Sequence, residues 1–264
     1  MGAPARFAAR PAPRPGRPFP AHRHADPAFL GGLAVTLPHR RPTRDTVGGR
    51  VYLELRRQAK ADGRDTGELL QLYALEGFLD RLTRSPYAGR LVLKGGVLLA
   101  AFDTRRPTRD IDVAAVGLPG EPGHVVTAIR RIAAVAVDDG LLFDGDAAAA
   151  STIREDAEYG GVRVSTPCTL QRARLHFHVD VNLGDPIHPG PRIVELPRLL
   201  GGSIHLLGNP LSMVVAEKLV TAVERGQANK RWRDFGDLYQ LSLRHDHDGA
   251  ELIAAAEAVA GHRG

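Results

Sequence analysis

The 264-residue chain carries 35 Lys and Arg against 30 Asp and Glu, a formal charge of +5, with 43 % apolar residues and a single cysteine, Cys168. That apolar content suffices for one large packed domain or two small ones, while a lone cysteine excludes an internal disulfide framework and most cysteine-ligated metal sites and points to a reducing cytoplasm. No apolar run approaches the roughly 20 residues of a membrane helix, and the basic balance suits a polyanionic partner without bearing on the fold.

Residues 1–44 are rich in Arg, Pro and Ala, contain "RPAPRPGRPFPAHRH" and hold one acid, Asp26. Such a segment has little to bury and its prolines block regular structure, so it is expected to be disordered or extended. It lacks the apolar stretch of a secretory signal. A transit peptide, an upstream-extended start and a basic nucleic-acid tether are its readings by composition, beside a plain solvated tail. Beyond it, "RDTVGGRVYLELRRQAKADG" spaces Val47, Val51, Leu55 and Ala59 as a helix does, behind Asp45 or Thr46 as cap and before a glycine stop. "DTGELLQLYALEGFLDRLTRS" repeats the scheme, with Asp65 or Thr66 as cap and Leu69, Leu72, Leu75, Phe78, Leu79 and Leu82 in one apolar stripe. These stripes are read as core.

"RLVLKGG" then reads as a short apolar strand ended by Gly95 and Gly96, with "VLLAAF" opening a helix. A strand, a paired-glycine turn and a helix start aim backbone N–H groups at one spot, which suits a phosphate, although paired glycines commonly only turn the chain. "DIDV" follows as a second strand, in which Asp110 and Asp112 share one face and Ile111 and Val113 the other. Two like charges on one face repel and call for a compensating cation. Mg²⁺, a hard ion that takes oxygen ligands and keeps substrate phosphates in its shell, is the natural choice. Two such ions would activate an attacking hydroxyl and steady a leaving pyrophosphate, and would need a third carboxylate. "RLHFHVDVNLGDPI" supplies one: Leu175, Phe177, Val179 and Val181 alternate with His176, His178, Asp180 and Asn182, one face for a core and one for a site. Asp180 is the candidate third ligand, against a solvent-facing polar residue. His176 and His178 offer a transition-metal site as the competing reading.

Residues 138–160 read as an acidic loop joining a helix to the sheet, without chemistry of their own. After Pro210, "VVAEKLVTAVERG" is an amphipathic helix carrying Lys218, and Asp234 begins the next helix. A surface ion pair between the two helices, worth about 0 to 1 kcal/mol, is their plain reading. Arg225, Lys230, Arg231 and Arg233 form a basic cluster suited to a nucleotide phosphate or an RNA backbone, or else a solvated helix end. "HDHD" at 245–248 reads as a helix-capping turn in preference to a metal site, and "GAELIAAAEAVAGHRG" as an Ala-rich packing helix.

Taken together, "LKGG", "RPTRDID", "HVDVNLGDPI", "AEKL" and "RWRDFGDLYQL" resemble the AbiEii/AbiGii family of nucleotidyltransferase toxins, which includes the MenT toxins and is a branch of the DNA polymerase β-like nucleotidyltransferase superfamily. The resemblance runs from about Thr46 to Leu243. It implies an α+β fold: a nucleotidyltransferase lobe with a mixed sheet flanked by helices, placed at 45–200, and a mainly helical C-terminal lobe at 201–264. It makes Gly95 and Gly96, with Lys94 before them, the phosphate-facing turn and Asp110 and Asp112 the metal pair. Arg106 and Thr108 match the lead-in R-x-T-x-D-I-D, and Lys218 and Asp234 match later catalytic positions. On chemical grounds Lys218 would set its ammonium against the triphosphate, and Asp234 would position that lysine or take a proton from the attacking hydroxyl. Arg231 and Arg233 join the nucleotide contacts.

Two positions depart from the family pattern. A Gly-Gly pair stands where many superfamily members have Gly-Ser, which removes a serine contact to phosphate, and Lys230 stands where many relatives have a small hydroxyl residue, which leaves nucleotide selectivity open. The implied activity is Mg²⁺-dependent transfer of a nucleoside monophosphate from an NTP to an RNA, in the first place the tRNA 3′ end, by a cytoplasmic toxin with a cognate antitoxin. Thr108 is also a candidate phosphorylation site, since a phosphate there would repel NTP. A transferase acting on a small molecule or protein, and an idle partner- or RNA-binding protein, are the alternatives.

Overall fold

The structure is a computed structural model that describes residues 41–154, 160–226 and 232–263. Helix α1 (Val47–Ala61) starts where Thr46 accepts a hydrogen bond from the Gly49 N–H at 3.1 Å, and α2 (Thr66–Thr83) where Asp65 accepts one from Glu68 at 3.0 Å. Each cap satisfies an N–H that the first helical turn leaves without a partner. The apolar stripe of α2 is fully buried, and Phe78 sets its ring against Phe143 and Phe177 at centroid distances of 6.1 and 5.7 Å. The same helix also buries Glu76, Asp80 and Arg81, each with an opposite charge: Arg105, Arg198 and Asp139.

The other elements are β1 (Leu91–Lys94), the single turn α3 (Gly95–Leu98) with a 3₁₀ turn (Leu99–Phe102), β2 (Ile111–Ala115), α4 (Pro122–Ala133), β3 (Leu141–Phe143), β4 (Ala149–Arg154), β5 (Gly160–Leu170), β6 (Ala173–Leu183), β7 (Arg192–Pro197), β8 (Ser203–Gly208), α5 (Leu211–Arg225), α6 (Trp232–Arg244) and α7 (Gly249–Arg263). The strands form one sheet in the order β3-β5-β6-β2-β1-β8-β7, with β4 also paired to β5. β2 runs antiparallel to β1 but parallel to β6, so the sheet is mixed and the fold is α+β. The segment read as "VLLAAF" helix is shorter than expected: it ends at Asp103, whose φ of 53° closes the 3₁₀ turn.

The reading of 138–160 as a loop is corrected, because β3 and β4 lie within it. β3 is only three residues long (Leu-Leu-Phe) and the Ala, Ser and Thr of β4 give little apolar alternation; the pairing of both is set by β5, whose Val162, Val164, Thr166, Cys168 and Leu170 are buried in strict alternation. At the C-terminal end, Met213 and Ala216 of α5 pack on Ala255 and Val259 of α7. Asp248 accepts hydrogen bonds from the Ala250 and Glu251 N–H groups, so "HDHD" is the capping turn of α7. Among the described residues no helix is long and apolar enough to cross a membrane.

Candidate active site

Four charged residues stand in one row across four neighbouring strands. Lys94 of β1 is paired with Asp112 of β2, Asp112 with Asp180 of β6, and Asp180 with Arg163 of β5. Directly opposed residues in a ladder point to the same face of the sheet, so the order along that face is cation, anion, anion, cation. Arg163 grips Asp180 at two points, Nε to Oδ1 at 2.7 Å and Nη2 to Oδ2 at 2.6 Å. Burial and then the Asp180 charge push the Asp112 carboxyl up to about 6, although Lys94 and the Gly96 N–H pull it back.

Asp110, two residues before Asp112, leans toward β6. Its Oδ1 accepts the His178 backbone N–H at 3.3 Å and lies 3.0 Å from His178 Nδ1. His176 instead places Nε2 2.5 Å from Ser165 Oγ. The two histidines thus serve Asp110 and Ser165, and among the described residues no three His, Cys, Asp or Glu side chains are gathered closely enough to hold a metal. Asp110, Asp112 and Asp180 are brought together on one face, while His178 and Arg163 occupy two of them.

The glycine pair wraps Asp112. Gly95 has φ +66°, and a Cβ there would lie 2.1 Å from Asp112 Oδ2. A Cβ on Gly96 would lie 2.8 Å from Thr108 Oγ1 and 3.2 Å from an Arg106 guanidinium nitrogen. Only glycines let the backbone approach both side chains this closely. The Thr108 hydroxyl oxygen is buried and has no hydrogen-bond partner. Phosphorylation there would first have to expose it.

Lys218 is buried on α5, and its Nζ donates to Asp234 Oδ1 at 2.8 Å and to Asp237 Oδ2 at 2.7 Å, both on α6. Asp237 also accepts from Arg106 Nε at 2.9 Å. The residue pair expected from sequence is therefore one half of a network, Arg106, Asp237, Lys218, Asp234, that ties the approach to β2 to both helices. Lys94 is held elsewhere, donating to Asp185 at 2.7 Å and lying 2.9 Å from Glu217. Arg233 is exposed with no side-chain partner among the described residues, and Arg231, with Lys230, lies outside them.

Sequence reasoning missed Arg163, Asp185, Glu217 and Asp237. Two had a usable signal. Asp237 follows Asp234 at helical spacing, and Arg163 is fixed opposite Asp180 by the β5–β6 hairpin, which pairs Leu170 with Ala173.

A family model described as "Nucleotidyl transferase AbiEii toxin, Type IV TA system" matches residues 77–264. Among solved structures the chain is similar to JHP933 from Helicobacter pylori, at 15 % identity over 71 % of this chain and 72 % of that one, with a TM-score of 0.47. It is similar also to the antibiotic-resistance factor ANT(2'')-Ia (14 % identity, 74 % and 94 % covered, TM-score 0.40). An antigenic nucleotidyltransferase-like protein from Paracoccidioides brasiliensis gives 13 % identity, 73 % and 88 % covered, and a TM-score of 0.41. No curated protein matches.

Proposed function

Because the chain belongs to the AbiEii family of nucleotidyl transferase toxins of type IV toxin–antitoxin systems, we propose that it transfers a nucleoside monophosphate from an NTP to the 3′ end of an RNA. The leading acceptor is tRNA, whose blocked aminoacylation would stop translation in the cytoplasm until a cognate antitoxin relieves it. The observation that carries this reading is the pairing of Asp112 with Asp180 on adjacent parallel strands, next to the glycine turn and to Asp110.

The three carboxylates are hard oxygen donors, and Asp112 is pushed up chiefly by burial and next by the charge of Asp180 beside it, with a smaller push from Asp110. By donor chemistry these oxygens suit Mg²⁺, and Asp110, Asp112 and Asp180 are the residues that would hold it, after drawing closer than they stand here and with Arg163 and His178 displaced from two of them. Bound with the NTP, Mg²⁺ would neutralise phosphate charge and lower the pKa of the attacking hydroxyl. Arg163 holds Asp180 by two hydrogen bonds, while the Lys94 ammonium goes to Asp185 and Glu217. Gly95 and Gly96 bring the backbone close to the phosphates, and Arg106 and Thr108 line that turn. Lys218 supplies a fixed ammonium for the triphosphate, aimed by Asp234 and Asp237. Arg233, and Arg231 by its place in the sequence, add cations for phosphate. The acceptor oxygen attacks the α-phosphorus, its proton passes to a carboxylate of the cluster, and the bond to the β-phosphate oxygen breaks to release pyrophosphate.

The test is incubation of the protein with Mg²⁺, total tRNA and each α-labelled NTP in turn, beside Asp110→Ala and Lys218→Ala. Label on tRNA that is absent from both folded variants supports the reading and names the nucleotide. Failure with every NTP, where nucleotide still binds, moves the acceptor to a small molecule or protein. Failure to bind nucleotide removes the transferase reading.

A further inference from the structure

Helix α6 is amphipathic in the reverse sense. Its inward face buries Asp234, Asp237 and Leu241, the two acids being engaged by Lys218 and Arg106. Its outward face shows Trp232 at 78 % exposure, Phe235 at 42 %, Tyr239 at 61 % and Leu243 at 64 %. At 3.6 residues per turn these four positions fall on one stripe. The Trp232 and Phe235 rings lie 6.1 Å apart, tilted by 47°. Single exposed apolar residues are ordinary on a protein surface, but three aromatic rings in helical register form a contiguous patch that calls for a partner.

The charge around the stripe says what kind. Residues 225–244 contain five basic side chains and two acidic ones, and the two acids are Asp234 and Asp237, both turned inward. Arg225, Arg233 and Arg244 are exposed and have no side-chain partner among the described residues. Lys230 and Arg231 enter only by their sequence positions. On α6, Arg233 and Arg244 lie along one flank of the stripe, and Arg225 ends α5. Aromatic rings flanked by guanidinium groups are what a single-stranded nucleic acid binds: bases stack on the rings and phosphates meet the cations. The rings recur about every 4.5 to 6 Å along the helix axis, wider than the ~3.4 Å of stacked bases. This spacing suits a strand whose bases are splayed onto the protein and not a duplex.

We propose that the outward face of α6 is the docking platform for a single-stranded stretch of RNA, with Trp232, Phe235 and Tyr239 each stacking on a base and Arg225, Arg233 and Arg244 on the backbone. This rests on the reading of the chain as an RNA-directed transferase and adds where the acceptor is held. One helix then carries the acceptor on one face and fixes Lys218 with the other.

Trp232 is the only tryptophan in the chain, so its emission reports on this surface alone. The experiment titrates an eight-nucleotide single-stranded RNA into the full chain, beside a duplex of equal length and a polyphosphate of equal charge. Quenching by the single strand, with little from the duplex or polyphosphate, is expected. Phe235→Ala with Tyr239→Ala should weaken that binding about tenfold or more, with an unchanged melting curve because both side chains are exposed. Arg233→Gln with Arg244→Gln should reduce the slope of log affinity against log salt by about 1.4, or ~0.7 per phosphate contact on a single strand.

Absence of quenching, equal quenching by polyphosphate, or unchanged affinity in the aromatic double variant overturns the proposal. So does burial of Trp232 by self-association or by a protein partner in place of RNA. A parallel transfer assay separates the two readings. Transfer to RNA that is indifferent to the aromatic substitutions leaves the transferase standing without the platform, and RNA binding without transfer does the reverse.

Discussion

Arg163 and Asp180 close a two-point ion pair across the β5–β6 ladder, at the position where the third carboxylate would meet a divalent cation. A guanidinium and a metal ion compete for the same oxygens, so the pair sets a threshold for ion binding. Arg163→Gln is expected to lower the melting temperature in chelator and to gain more from millimolar Mg²⁺ than the wild type does, since added stability grows with ligand concentration over Kd. Thermal melts with and without Mg²⁺ measure both. An identical Mg²⁺ gain in the two proteins would show that Asp180 takes no part in holding the ion.

The glycine turn makes a sharper demand. A Cβ at Gly95 would lie 2.1 Å from Asp112 Oδ2 and 2.8 Å from its Cβ, on a backbone whose φ already disfavours L side chains. Gly95→Ala must therefore open the turn or rotate Asp112 away, and a loss of about 1 to 3 kcal/mol with loss of transfer activity is expected. Gly123→Ala is the control, because a Cβ there meets nothing within 4 Å. Urea denaturation of the two variants should differ by more than the ~0.5 kcal/mol typical of surface changes.

Much of this site was legible because it obeys strand periodicity. The alternation in β2 and β6 put Asp112 and Asp180 on polar faces, and the ladder then placed them side by side. What was hidden depends on pairing between distant segments. Arg163 sits opposite Asp180 only because the β5–β6 hairpin fixes the register, and β5 was not read as its partner strand. Lys94 looked like a phosphate ligand beside its glycines, yet Asp185 and Glu217, remote in sequence, hold its ammonium. β3 escaped notice because it is only three residues long, and β4 because its Ala, Ser and Thr carry little apolar signal.

The Lys218 network predicts strong coupling. Lys218→Met would leave Asp234 and Asp237 buried beside each other with Arg106 as a remaining cation, and breaking such a pair costs about 3 to 5 kcal/mol. Asp237→Asn added to Lys218→Met should recover part of that loss, since one uncompensated charge is gone. A double-mutant cycle by urea denaturation measures the interaction. Simple additivity would mean that the two side chains do not sense each other.

Cys168 is 2 % exposed in β5, and burial pushes its thiol up to about 12. The thiolate is the reactive form, so at pH 7 only about one molecule in 10⁵ carries it. A thiol-reactive dye should label the native protein negligibly and label it stoichiometrically in denaturant, at a rate that follows unfolding. Rapid native labelling would place Cys168 outside the core.

Asp185 gives the acid limb of stability a defined sign. Burial alone would raise its carboxyl, but the Lys94 ammonium and the Asn182 amide more than offset this and hold it below the usual range. A group whose folded pKa is depressed stabilises the protein above its unfolded pKa of about 3.9, and that contribution is lost as pH falls through the folded value. Asp185→Asn should therefore be less stable than the wild type at pH 7, where Lys94 keeps only Glu217, and the gap should close below about pH 4 as the wild-type carboxylate takes up its proton. Urea denaturation at pH 7, 5, 4 and 3 follows the difference directly. A gap that stays constant over that range would mean that the contact between Lys94 and Asp185 does not depend on the carboxylate charge, and would leave Glu217 as the anion that fixes the lysine.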